Sequence, residues 1–156
     1  MKNVFWLIDN QLGGRTGPNV DAWDLPALRA GGVGAILSLT PYDIEPAEIE
    51  AAGIAHKRIL LTGNAPPLEG DAAICRILLP RAMEFAQQQI DQGRAVIAHC
   101  SAGKDRTGLF LSYYLVTHQG LSPRQAIEKV RTVRPIALSA EGWEAFALSV
   151  LGDPGA

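Results

Sequence analysis

The chain has 156 residues, 47% of them apolar and 19% charged, a globular rather than disordered balance at a length that suits one compact domain over residues 1–156. A net charge of −2 from 14 basic and 16 acidic residues argues against a general nucleic-acid binder, and no run approaches the roughly 18 apolar residues of a membrane span. The two cysteines, Cys75 and Cys100, form no disulfide framework and suit a reducing compartment, with the cytoplasm as the expected location. The opening apolar run is too short for a secretion signal, since Asp9 follows Ile8 at once.

Short apolar runs alternate with amphipathic stretches, which predicts an α/β fold. Val4–Ile8 reads as the first strand and Gln11–Asn19 as a Gly-rich connection, with Gly13-Gly14-Arg15 at a strand-to-helix turn. Asp21 or Asp24 caps a short helix reaching Ala30, and Gly31-Gly32 stops it. Ala35–Leu39 is a buried strand, Pro46–Ala52 a short helix with proline at its start, and Ile54–Leu61 another strand. Thr62–Gly70 carries Gly63, Asn64, Pro66, Pro67 and Gly70 and reads as a loop. Asp71–Gln92 is the longest helical stretch, with Asp71 as N-cap, a kink at Pro80, and an apolar stripe of Ile74, Ile77, Leu78, Met83, Phe85 and Ile90. Cys75 lies on this helix and reads as core packing. Ala95–Ala98 is the most strand-like run, followed by a helix from near Arg106 to Gly120. Ser122-Pro123-Arg124-Gln125 is a capping box that opens a further helix, and a last one covers about Ala140–Leu151.

One segment carries chemistry: His99-Cys100-Ser101-Ala102-Gly103-Lys104-Asp105-Arg106-Thr107-Gly108. It joins a buried strand to a helix amino terminus, the place where open α/β sheets bind ligands. Backbone N–H groups from Ser101 to Arg106 can curl around an oxyanion there, and the helix dipole adds positive potential. Gly103 permits the tight path. The helix end and Arg106 favour a thiolate at Cys100, which can attack a phosphorus atom held above it. The planar fork of Arg106 matches two phosphate oxygens. Thr107 places a hydroxyl near the sulfur, and His99 orders the loop from beneath. A metal site at His99 and Cys100 is a poor reading, because no second Cys or His pair stands at ligand spacing. His56 and His118 read as surface or structural residues.

The segment resembles the protein tyrosine phosphatase signature, H-C-x-x-G-x-x-R-[ST], at every defined position: His99, Cys100, Gly103, Arg106 and Thr107. A weaker likeness to small dual-specificity phosphatases extends over most of the chain, through the Trp6 strand, Gly13 to Arg15, Leu37-Ser38-Leu39 and Arg134-Pro135. The resemblance implies a central, mostly parallel sheet of four to five strands flanked by helices. It implies phosphomonoester hydrolysis through a phosphocysteine intermediate, with no metal or other cofactor. Phosphotyrosyl proteins, with dual specificity as an option, are the first expected substrates. Phosphoinositides or inositol phosphates are the alternative, favoured by Lys104 at the pocket mouth, and a weakly active phosphate-binding module is a third reading.

The resemblance also implies a general acid, an Asp on a loop some thirty residues before the cysteine. That loop is Leu60–Pro67 here, and Gly63 or Asn64 stands where the Asp is expected. Asp105 is the first replacement, with Asp71 and Glu69 as alternatives. The structural readings beside these are a loop-stabilising ion pair for Asp105 and a helix cap for Asp71. A disulfide between Cys75 and Cys100 stays open at this stage.

Overall fold

Two runs of consecutive buried residues, Val33–Ser38 and Ala95–His99, form the centre of the sheet. Neither alternates between apolar and polar, because helices cover both faces of strands placed centrally in a parallel sheet. The computed structural model describes residues 3–41 and 44–156. In chain order its elements are β1 (Val4–Ile8), β2 (Leu12–Arg15), α1 (Leu25–Ala30), β3 (Val33–Ser38), α2 (Pro46–Ala51), β4 (Ala55–Arg58), α3 (Asp71–Asp91), β5 (Ala95–His99), α4 (Asp105–Gln119), α5 (Pro123–Val133) and α6 (Trp143–Val150). The five strands lie in the order β1-β2-β5-β3-β4, with β1 antiparallel to β2 and every other pair parallel. This is the mostly parallel sheet that the resemblance implies.

Alternation along β3 and β5 divides the core into two layers. Ile36 and Ile97 face a cluster with Leu28 of α1 and Ile49 of α2. Ala35, Leu37, Val96 and Ala98 face the larger cluster, built with α3 to α6 and containing Phe110, Tyr114 and Trp143. Each fully buried Leu or Ile contributes about 1.5–3 kcal/mol relative to exposure.

Three expectations are corrected. Gly13-Gly14-Arg15 is not a turn but most of β2, paired with β1 on one side and β5 on the other. Its glycines answer to packing: a Cβ on Gly14 would enter the Phe5 ring and one on Gly13 would strike the Phe5 carbonyl. The buried stripe of α3 is Cys75, Leu79, Ala82, Ala86 and Gln89, whereas Ile74 and Ile77 are 53% and 60% exposed. Leu78, Met83, Phe85 and Ile90 of the expected stripe pack partly buried against the core, so Ile74 and Ile77 are the members that fall outside the inner face. Pro80 lies inside this helix, whose N-cap is Gly70 rather than Asp71. The remaining caps follow the sequence, with Asp24 Oδ1 accepting from the Ala27 N–H at 3.0 Å and Ser122 and Gln125 forming the capping box.

Among the described residues no helix is long and apolar enough to cross a membrane. The carboxyl end of β5 delivers His99 opposite Arg15 of β2 and Ser38 of β3. The chain then turns through residues 100–104 into α4.

Candidate active site

The turn after β5 has its carbonyls outward. Among these five consecutive groups, Cys100 O accepts from His99 Nδ1 at 3.1 Å, Ser101 O from the Gly17 N–H at 2.8 Å, and Ala102 O from Arg134 Nη2 at 2.6 Å. Gly103 O accepts from Arg134 Nε at 3.2 Å, and Lys104 O from the N–H groups of Gly108 and Leu138 at 3.0 and 3.3 Å. A peptide whose C=O points out turns its N–H inward. The N–H groups of Ser101, Ala102, Gly103 and Lys104 accordingly donate to no protein acceptor among the described residues. The concave row of donors opens onto the first turn of α4, whose dipole adds to their potential. Gly103 makes the path possible: its φ is +64° and a Cβ there would lie 2.7 Å from the Arg15 carbonyl oxygen.

Cys100, only 3% exposed, sits on the floor of this cradle. The Thr107 hydroxyl, itself fully buried, donates to Cys100 Sγ at 3.1 Å, where the sequence places it. A pocket of about 100 Å³ opens above, lined by Gly63, Cys100, Ser101, Ala102, Lys104, Asp105, Arg106 and Trp143. Of the expected residues, Cys100, Ser101, Ala102, Lys104, Asp105 and Arg106 come together in its wall. Gly103 forms the turn behind it, and Thr107 and His99 support it from within. The Arg106 guanidinium pairs with no carboxylate or carbonyl among the described residues, so its fork is available to an oxyanion.

The layer beneath is polar and buried. His99 is fully buried, with Ser38 Oγ 2.6 Å from its Nε2, and the same hydroxyl lies 2.9 Å from His56 Nε2. Arg15 is also buried, and its guanidinium donates to the carbonyls of Thr16, Asp21 and Ala22. It thereby fixes the 16–22 segment that supports the cradle, and its pKa is lowered by burial, with Asp21 acting in the opposite sense. From the same segment Asn19 Nδ2 donates to Ser101 Oγ at 3.2 Å.

The loop before α3 crosses the pocket mouth with no carboxylate on its inner side. A Cβ on Gly63 would lie 3.2 Å from Arg106 Nη1, so this residue rests directly on the guanidinium. Trp143 Nε1 donates to the Asn64 carbonyl at 2.8 Å, and Asp71 Oδ2 accepts from Leu68 N–H, Thr62 Oγ1 and Asn64 Nδ2 at 2.7, 3.1 and 3.2 Å. The Leu68 backbone bond, with the Asn64 bond behind it, holds the Asp71 carboxyl below the usual carboxylate range. Asp71 therefore ties the loop together, and neither it nor the exposed Glu69 lines the pocket. Asp105 is the carboxylate in the wall: Oδ2 pairs with Lys104 Nζ at 2.8 Å and Oδ1 accepts from the Ala140 N–H at 3.2 Å. Cys75 is a free, fully buried thiol, pushed up to about 11 chiefly by burial and further by Asp71. Cys100 is likewise free. Trp143 escapes sequence reasoning altogether, because a lone aromatic some forty residues from the signature carries no local sign of its destination.

A family model described as "Polymorphic toxin system, DSP-PTPase phosphatase" matches residues 13–120, from β2 through α4. The chain is 30% identical over 128 residues to phosphatidylglycerophosphate phosphatase PTPMT1 of Arabidopsis thaliana, covering 78% of this chain and 36% of that one. It is 31% identical over 117 residues to dual specificity protein phosphatase 12 of Rattus norvegicus, covering 75% of this chain and 33% of that one. The chain thus spans about a third of these curated relatives. Among solved structures, Tk-PTP in its active form superposes with a TM-score of 0.78 at 19% identity, covering 97% of this chain and 98% of that one. Human DUSP28 gives 0.74 at 20% identity, covering 100% and 97%. At these identities the two structures establish the shared fold.

Proposed function

The chain belongs to the DSP-PTPase phosphatase family of polymorphic toxin systems, and from that membership and the chemistry of the pocket we propose that it hydrolyses phosphomonoesters through a phosphocysteine intermediate, with phosphotyrosyl proteins as substrates and dual specificity within reach. One observation carries the reading: five successive carbonyls are drawn outward, which leaves the donors of residues 101–104 facing the space above Cys100 Sγ. A phosphate dianion satisfies those donors and the fork of Arg106 together.

In this mechanism the Cys100 thiolate attacks phosphorus, forming the S–P bond as the ester P–O bond breaks. Arg106 holds two equatorial oxygens while charge redistributes. Asp105, in the pocket wall, acts in its protonated form, giving its proton to the leaving oxygen and becoming the carboxylate. Water then attacks phosphorus and gives a proton back to the Asp105 carboxylate as the S–P bond breaks, which frees phosphate and leaves the sulfur as a thiolate that the Thr107 hydroxyl stabilises by its bond to Sγ. A reducing compartment keeps such a thiol from forming disulfides, which supports a cytoplasmic location.

A lipid phosphomonoester forms a second reading, supported by the 30% identity to a phosphatidylglycerophosphate phosphatase, with phosphoinositides as the class proposed. Against it stands the pairing of Lys104 with Asp105, which neutralises much of the positive charge at the mouth that a polyanionic headgroup would use. The experiment is a panel of phosphotyrosyl, phosphoseryl and phosphothreonyl peptides beside phosphoinositides, with wild type and Cys100→Ser. Release of phosphate from phosphotyrosyl peptides by wild type alone supports the main reading, and preference for the lipids reverses it. Binding of phosphate without turnover of any substrate, an aryl phosphate included, identifies a phosphate-binding module instead.

A further inference from the structure

We propose that His56, on the edge strand β4, is a positioning residue for Cys100, acting through Ser38 and His99; the proposal rests on Cys100 being the nucleophile. The four residues lie on three adjacent strands and the turn that follows them. His56 Nε2 is 2.9 Å from Ser38 Oγ, Ser38 Oγ is 2.6 Å from His99 Nε2, and His99 Nδ1 is 3.1 Å from the Cys100 carbonyl oxygen. The strand order β5-β3-β4 makes this row possible, with Ser38 placed between the two histidines.

With His99 as the neutral imidazole, the direction of every bond in the row follows from the Cys100 carbonyl. The Cys100 carbonyl can only accept, so His99 Nδ1 must carry a hydrogen. Neutral His99 then has a lone pair on Nε2, which accepts the Ser38 hydroxyl hydrogen. A hydroxyl has one hydrogen, and Ser38 has given it to His99. Its oxygen is therefore an acceptor toward His56, and His56 Nε2 must be a donor. Donation into Ser38 polarises its O–H bond and strengthens the bond to His99, since hydrogen bonds in a chain reinforce one another. The result is a fixed tautomer and orientation for His99, and a fixed outward direction for the Cys100 carbonyl on which the cradle depends. His99 and Ser38, the last residue of β3, are fully buried, while His56 is partly exposed on the last strand of the sheet. The end of the row can thus be altered without opening the core.

The test compares His56→Leu, which cannot donate, with His56→Gln, whose side-chain amide can donate to Ser38. It also uses Ser38→Ala and the double variant His56→Leu/Ser38→Ala. Two readouts are taken at pH 7: kcat and KM for p-nitrophenyl phosphate, and the rate at which iodoacetate alkylates Cys100. Circular dichroism melting shows that each variant is folded. His56→Leu is expected to lower kcat and the alkylation rate by about fivefold to tenfold, the size that one hydrogen bond carries, with KM within about twofold. His56→Gln recovers most of that loss, and the double variant loses no more than Ser38→Ala alone, because residues acting in series are not additive. Equal behaviour of the Leu and Gln variants, or losses that simply multiply in the double variant, overturns the proposal. If wild type turns over no phosphate ester, the reading as a phosphatase fails, while the alkylation rates still decide whether His56 acts on Cys100.

Discussion

Arg134 Nη2 donates to the Ala102 carbonyl at 2.6 Å across 32 residues of sequence, and the same guanidinium holds the next carbonyl through Nε. Two consecutive carbonyls anchored on one planar cation cannot rotate into the pocket, so their N–H partners keep facing it. Removal of the cation frees both peptides. Arg134→Ala is expected to weaken inhibition by inorganic phosphate by about 10- to 100-fold, the range for hydrogen bonds to a charged group, and to raise KM for an aryl phosphate. Unchanged inhibition would show that the turn holds its shape without Arg134.

Arg106→Lys keeps the charge and loses the fork. Lysine offers a point charge where two oxygens need parallel donors, so the loss falls on the transition state. The kcat for p-nitrophenyl phosphate should fall by about 10²-fold or more, the scale of losing an oxyanion donor, and phosphate inhibition should weaken with it. Near-normal kinetics would confine Arg106 to a supporting role.

The two thiols should separate chemically. Cys75, pushed up to about 11 and fully buried, carries almost no thiolate at pH 8. Iodoacetate at that pH should label Cys100 alone, and phosphate or vanadate should protect it. Peptide mapping that finds Cys75 modified first would contradict this assignment. The raised Cys75 thiol also affects stability at alkaline pH. Its burial is tolerated fully below the ordinary thiol pKa of about 8.5, and the contribution is lost as pH rises toward and through about 11. Wild type should show a fall in Tm over that window that Cys75→Ala lacks.

The chemical core was legible in the sequence because it is local. His99 to Thr107 lie within a single strand-turn-helix unit, and the residue types required by an anion cradle occur there in order. The parallel core strands were legible for a similar reason, as unbroken apolar runs. What the sequence hid depends on contacts between distant segments. β2 is written with two glycines, which local propensity assigns to a turn, and only the Phe5 side chain and backbone across the sheet explain them. The most buried line of α3 runs through Cys75, Leu79, Ala82 and Ala86, so the exposed Ile74 and Ile77 misdirect a reading based on hydrophobicity alone. The Asp71 carboxylate reads as a cap from its position, yet it accepts from Thr62, Asn64 and Leu68 before the helix. His56 and Trp143 join the site through pairings that no local pattern announces.

The general acid is decided by leaving-group chemistry. Asp105 lines the pocket, whereas Asp71 is fully engaged in the loop beside it. If Asp105 protonates the leaving oxygen, Asp105→Asn should slow an alkyl phosphate far more than p-nitrophenyl phosphate, by about 10²-fold or more against less than about tenfold, on the scale of general acid catalysis. The reason is that nitrophenolate tolerates the negative charge it acquires as the P–O bond breaks, while an alkoxide does not. Asp71→Asn should preserve the ratio between the two substrates and lower the melting temperature instead. The sign of that effect follows from the depressed Asp71 pKa: its stabilisation is present above the ordinary carboxylate pKa and is lost as pH falls through the lowered value. The gap in Tm between wild type and Asp71→Asn should therefore be open at pH 7 and close on strong acidification. If Asp71→Asn instead alters the leaving-group ratio and Asp105→Asn leaves it intact, the proton comes from the loop over the pocket. Asp105 would then serve only to pair with Lys104 and to hold the Ala140 N–H.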